Sequence, residues 1–102
     1  MSTLISRLFG RSEDLKAIYQ QGAIILDVRT LPEFRSGHIE GAMHIPLDQL
    51  AQRTGELKRE NKPIIACCAS GMRSGTAKSM LSSAGIEAYN GGSWQMLRHK
   101  LR

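Results

Sequence analysis

At 102 residues the chain is long enough to bury one hydrophobic core and too short for two, so a single domain over residues 1–102 is expected. Its 41% hydrophobic and 23% charged residues exclude a disordered or fibrous chain, and no stretch reaches the ~20 apolar residues of a membrane span. Two cysteines cannot make a disulfide framework, and a formal charge of +5 favours anionic small molecules or acidic partners, with no specific nucleic-acid signature.

The first fifteen residues, "MSTLISRLFGRSEDL", lack a secretory pattern: the apolar part is short, Arg7 interrupts it, and no small-residue cleavage site follows. A cytoplasmic location is the expectation. Ser12 with Glu13 and Asp14 gives a cap and an acidic first turn to a helix carrying Leu15, Ile18 and Tyr19 on one face. Residues 23–28, "AIILDV", form a nearly unbroken apolar run, the signature of a strand covered on both faces. "AMHI" at 42–45 has the same character. Leu47, Leu50 and Ala51 start a second helix, which Gly55 interrupts before Leu57.

"IIAC" at 64–67 predicts a third strand. Ser74 opens a third helix, with Ala77, Met80, Leu81 and Ala84 on one face and Gly85 as its C-cap. "IEAY" at 86–89 is a weaker fourth strand, and a last helix runs from about Ser93 into the basic, solvated "RHKLR" end. Strands alternating with helices in so short a chain argue an α/β domain with a parallel sheet. Ligands of such sheets gather outside the carboxyl ends of the strands. The adjacent Cys67 and Cys68 stand at one of those ends.

Between a strand ending near Cys67 and a helix starting near Ser74, the chain must turn with its amides unpaired. Gly71 permits the positive φ that closes such a turn. Converging amides and a helix N-terminus make an anion cradle, and a thiol at its centre ionises more readily. Arg73 adds a cation, and the hydroxyls of Ser70 and Ser74 can turn toward sulfur or a bound anion. The pattern suits a nucleophilic cysteine acting on an anionic substrate.

Two registers compete. Cys68 to Arg73 is C-x4-R, whereas Cys67 to Arg73 is C-x5-R followed by serine, the pattern of cysteine phosphatases. In the second register Ala66 stands where many phosphatases carry histidine, and no nearby aspartate is an evident general acid. Adjacent strand residues point to opposite faces, so both thiols cannot enter one cradle. Cys68 is therefore assigned to the site and Cys67 to the core, as a small hydrophobe. His38, His44 and His99 add no ligand pattern to the cysteines, so neither a metal nor an organic cofactor is expected.

Three segments carry a family resemblance: "ILDVRTLPEFRSGHIEGAMHIP" at 25–46, "IIACCASGMRSGTAKSML" at 64–81 and "YNGGSWQMLR" at 89–98. Together, in this order and spacing, they resemble a single-domain rhodanese. The resemblance implies a small three-layer α/β domain, with a central parallel sheet and helices on both faces. It implies sulfane-sulfur transfer through a cysteine persulfide. The family's nucleophile opens a six-residue loop, here "CASGMR" at 68–73, so the resemblance makes Cys68 the nucleophile. Ala69, Ser70, Gly71, Met72, Arg73 and Ser74 then bind the substrate. Phosphatase relatives on this fold carry a loop one residue longer. The basic residues that follow the nucleophile in thiosulfate-specific two-domain enzymes are replaced by Ala69 and Ser70, a loop more like that of mercaptopyruvate sulfurtransferases.

The expected partners are a small anionic sulfur donor and a thiol or protein sulfur acceptor, with no membrane. A non-enzymatic sulfur carrier or docking module is the alternative, and a phosphatase using Cys67 the third reading. Asp27, Arg29 and Glu33 are expected to build a structural, ion-paired corner after the first strand. His38 is expected to bond backbone across its turn, His44 to pack, and Trp94 to anchor the last helix against the sheet.

Overall fold

The computed structural model describes residues 14–102; the Ser12 and Glu13 part of the first helix signal lies outside them. Four strands form one parallel sheet: β1 (Ile24–Asp27), β2 (Met43–His44), β3 (Ile64–Cys68) and β4 (Ala88–Ser93), in the spatial order β2-β1-β3-β4. Among the described residues six helices connect and cover it: α1 (Leu15–Gln20), α2 (Leu31–Ser36), α3 (Leu47–Leu50), α4 (Thr54–Glu60), α5 (Met72–Ser83) and α6 (Trp94–Leu101). Among these helices none is long and apolar enough to cross a membrane.

The two central strands are sheathed on both faces, and their alternation sorts residues into two cores. On one face Leu26 of β1 and Ile64, Ala66 and Cys68 of β3 pack with Leu50, Leu57, Ala77 and Leu81 of α3, α4 and α5. On the other, Ile25 of β1 and Ile65 and Cys67 of β3 pack with Leu15 and Ile18 of α1 and Leu97 of α6. The expected three-layer α/β architecture is the observed one. Trp94 packs against this second cluster, as expected of an anchor.

β1 and β3 pair in register from Ile24 opposite Ile64 to Asp27 opposite Cys67. The β3–β4 pairing slips: Ala66 faces Asn90, whereas Cys68 faces Ser93, so β4 holds one extra residue there. Gly91 and Gly92 accommodate this bulge. A Cβ on Gly91 would lie 2.9 Å from the Ala66 carbonyl oxygen and 2.8 Å from Leu97 Cδ2, so no side chain fits.

Several boundaries differ from the sequence expectation. The second helix is two short ones, α3 and α4, with the break at residues 51–53 and Gly55 inside α4. α5 begins at Met72, two residues before Ser74, because Gly71 already occupies the N-cap position. It ends with Ala84 as C-cap, and Gly85 follows in the left-handed region at φ +85°. The fourth strand runs over 88–93 rather than 86–89, leaving the buried Ile86 in the turn before it.

Helix α2 has no counterpart in the sequence expectation. It has no buried residue and therefore no apolar periodicity to read. Its start is set by a capping box: Glu33 N donates to Thr30 Oγ1, and Thr30 N donates to Glu33 Oε1 at 2.9 Å.

Candidate active site

β3 delivers Cys68 to the carboxyl edge of the sheet, and the chain turns through Ala69 and Ser70 to Gly71. Gly71 has φ +104°, a conformation costly for any residue with a Cβ. The turn aims donors back at the sulfur. Gly71 N lies 3.0 Å and Ser74 N 3.3 Å from Cys68 Sγ, with Ser74 Oγ also at 3.3 Å. Burial alone would push the Cys68 thiol up; the Ser74 hydroxyl and the amides of Ser74, Gly71 and Ser70 outweigh it and bring it below the usual thiol value. Cys67 behaves oppositely: burial and the neighbouring Asp27 push it up to about 12.

Ser74 is fully buried and has one proton to give. Its hydroxyl donates to Asn90 Oδ1 at 2.7 Å, which leaves its oxygen to accept the S–H of a Cys68 thiol. Once Cys68 ionises, the hydroxyl can rotate to donate to sulfur. Asn90 Oδ1 then still holds the Gly92 amide at 2.9 Å. The other end of the Asn90 side chain donates to the Gly71 carbonyl at 3.1 Å, tying β4 to the loop. Sequence reasoning missed Asn90. It stands opposite Ala66, immediately before the Gly91–Gly92 bulge, and its signal in the sequence is the "NGG" triplet itself.

The six residues assigned to substrate binding fall in different places. Ala69, Ser70 and Met72 face solvent, with Met72 81% exposed. Gly71 and Ser74 form the cradle, and Ser70 adds its amide to it. Arg73 is not the free cation the sequence suggested. Its Nη1 and Nη2 fork onto Glu33 Oε1 and Oε2 at 2.7 and 3.0 Å.

The expected corner after β1 is therefore split. Asp27 and Arg29 form it: both carboxylate oxygens accept from the Arg29 guanidinium at 2.7–3.1 Å, and Asp27 Oδ1 also accepts the Arg29 amide at 3.0 Å. Arg29 Nη2 also donates to the Gly37 carbonyl at 2.6 Å, and its guanidinium lies 4.8 Å from the centre of the Trp94 ring. Glu33 instead leaves this pair, caps α2 and crosses to Arg73. Arg73 and the Thr30 amide hold the Glu33 carboxyl down at about 2.

His38 and His44 bond backbone carbonyls rather than the sulfur. His38 Nδ1 donates to the Phe34 carbonyl at 2.7 Å, and His44 Nε2 donates to the Arg29 carbonyl at 2.7 Å. Their rings stack on Phe34 at centroid separations of 3.7 and 4.4 Å. Among the described residues no group of three or more His, Cys, Asp and Glu side chains could hold a metal.

Comparison with known proteins places the chain in a family. The family model of the rhodanese-like domain matches residues 12–96. The uncharacterized protein YqhL of Bacillus subtilis is 44% identical over 79 residues, covering 76% of this chain and 61% of YqhL. The thiosulfate sulfurtransferase GlpE of Pseudomonas fluorescens is 35% identical over 76 residues, covering 72% of this chain and 67% of GlpE. This chain thus spans about three fifths of YqhL, and 57% of another curated relative, YibN of Escherichia coli. The crystal structure of reduced Bacillus anthracis CoADR-RHD superposes with a TM-score of 0.72 at 31% identity, over 88% of this chain and 16% of that one. With the family model spanning most of its length, the chain belongs to the rhodanese-like domain family.

Proposed function

We propose that the chain is a sulfurtransferase whose nucleophile is Cys68. The observation that carries this reading is the convergence of Gly71 N, Ser74 N and Ser74 Oγ on Cys68 Sγ. These donors stabilise an anionic sulfur without a metal, and they serve a thiolate and a persulfide alike. The sulfurtransferase name of the relative GlpE supports the same chemistry.

In the first half-reaction the Cys68 thiolate attacks the outer sulfur of a donor such as thiosulfate. The S–S bond of the donor breaks, and sulfite leaves with the bonding pair. The charge now rests on the terminal sulfur of Cys68–S–S⁻. In the second half, cyanide or an acceptor thiolate takes that sulfur and restores the thiolate, which makes a ping-pong cycle. The Ser74 hydroxyl, handed between Asn90 and sulfur, adjusts to each state without leaving a buried partner unpaired. Free thiols suit a reducing compartment, and on that ground we assign the protein to the cytoplasm.

A phosphatase using Cys67 is disfavoured by the burial of that thiol in the opposite core and its upward shift to about 12. Steady-state assays with thiosulfate plus cyanide, and with p-nitrophenyl phosphate, separate the readings. Thiocyanate formation lost in Cys68→Ala and retained in Cys67→Ala is the expected outcome. Phosphate release that depends on Cys67 would overturn the proposal. Stoichiometric sulfur loading with no turnover would favour a carrier, the activity implied by the name of the putative sulfur carrier protein YrkF of Bacillus subtilis.

A further inference from the structure

The Glu33–Arg73 fork stands at the surface beside the active-site loop rather than in the core: the two side chains are 36% and 35% exposed. It is also fixed. Glu33 Oε1 accepts from Thr30 N at 2.9 Å and Thr30 Oγ1 at 3.0 Å, so the carboxylate belongs to the cap of α2 as well as to the ion pair. A free surface carboxylate would drift away from an arginine, whereas this one is held against it by its own helix. Arg73 in turn is anchored in the first turn of α5, one residue before Ser74.

The charge count at the site follows. The Asp27–Arg29 pair is neutral and sealed, and the Glu33–Arg73 pair is neutral and exposed. The remaining exposed loop side chains, Ala69, Ser70 and Met72, carry no charge, and neither does the exposed Leu31 at the start of α2. An ionised Cys68 therefore faces its donor with hydrogen-bond dipoles around it and no uncompensated cation among these groups. A dianion is repelled by that thiolate about twice as strongly as a monoanion at the same distance.

We propose, building on the sulfurtransferase reading, that Glu33 is a specificity-determining residue: by neutralising Arg73 it favours sulfur donors with fewer than two negative charges. Glu33 acts through Arg73 and does not touch the reacting sulfur.

Two donors isolate the charge. Thiosulfate is a dianion that transfers its outer sulfur and expels sulfite. The methanethiosulfonate anion carries one charge, transfers its outer sulfur to the thiolate in the same way, and expels methanesulfinate. In each case one S–S bond breaks and one forms, and the total charge is conserved. Cyanide accepts the sulfur from both loaded forms.

The test compares kcat/KM for the two donors in the wild type, Glu33→Gln and Thr30→Ala. Glutamine keeps an oxygen for the Thr30 amide and removes the charge, so the cap survives. Glu33→Gln is expected to shift the donor preference toward thiosulfate about fivefold, the effect of one uncovered unit charge on the solvated surface beside the loop. It should also make thiosulfate turnover fall more steeply with added salt. Thr30→Ala weakens the same cap without changing the charge and is expected to leave the preference in place. An unchanged preference in a folded Glu33→Gln protein that turns over both donors overturns the inference and leaves the sulfurtransferase reading standing. An equal shift in Thr30→Ala overturns it too, because the effect would then be structural. Failure of both donors to load wild-type Cys68 overturns the underlying reading and the inference together.

Discussion

Replacing Ser74 by alanine removes the only side-chain hydroxyl that reaches Cys68 Sγ among the described residues. Alanine is the better helix former, so α5 should not suffer, and the fully buried site loses a single oxygen. A hydrogen bond to a charged group contributes about 1.5–3 kcal/mol. Here the lower end applies, since the hydroxyl must leave Asn90 Oδ1 at 2.7 Å to serve the thiolate. A loss of about 1.5 kcal/mol corresponds to a rise of about one unit in the Cys68 pKa. The sign follows from the donors: they favour the anion, so the wild-type thiol ionises below its ordinary value and alkylation fades only as pH drops beneath that lowered midpoint. The assay is the pH dependence of iodoacetamide alkylation in a Cys67→Ala background, followed by intact mass. The wild-type midpoint should fall below that of a free cysteine, and that of Ser74→Ala about one unit above the wild type. An unmoved midpoint, or a wild-type midpoint at or above that of free cysteine, would refute the assignment of these donors.

Asp27→Asn should destabilise the fold by about 3–5 kcal/mol, because it leaves a buried arginine without its carboxylate; a urea midpoint close to wild type would show that Arg29 finds another partner. Gly91→Ala should cost about 1–3 kcal/mol, as its Cβ meets the Ala66 carbonyl, Ile65 and Leu97 within 2.9 Å. The same denaturant titration reads it. Gly71→Val must hold a β-branched residue at φ +104°, a strain of about 1–3 kcal/mol, and should lower thiocyanate formation on the order of tenfold by moving the loop amides. Full activity in that variant would mean that the loop tolerates the strain without shifting its donors.

The sheet and the placement of the two cysteines in opposite layers were legible because both follow from local periodicity. The runs at 23–28 and 64–67 are apolar on both faces, and a period of two sends Cys67 and Cys68 to opposite layers. The loop glycine was legible for the same reason, since a strand-to-helix turn this tight needs a positive φ at one residue. Elements without an apolar stripe were harder. α2 buries nothing, and only its Thr30–Glu33 capping box marks it. β4 contains "NGGS", whose pairing depends on a bulge against β3, so the apolar signal at 86–89 pointed two residues too early. The partners of the loop were not legible at all. Glu33 and Arg73 are forty residues apart in sequence and meet only because α2 and α5 both start at the carboxyl edge of the sheet. Arg73 looked like a free cation because nothing local reveals its neutralising partner.

The central claim is that Cys68, and not Cys67, carries transferable sulfur. Intact-mass spectrometry of the single-alanine variants after incubation with thiosulfate tests it most directly. Cys67→Ala should gain the mass of one sulfur atom and lose it on adding cyanide, with thiocyanate released in equal amount, while Cys68→Ala should gain nothing. A sulfur adduct on Cys68→Ala, or none on a folded Cys67→Ala protein with either thiosulfate or methanethiosulfonate, would contradict the account.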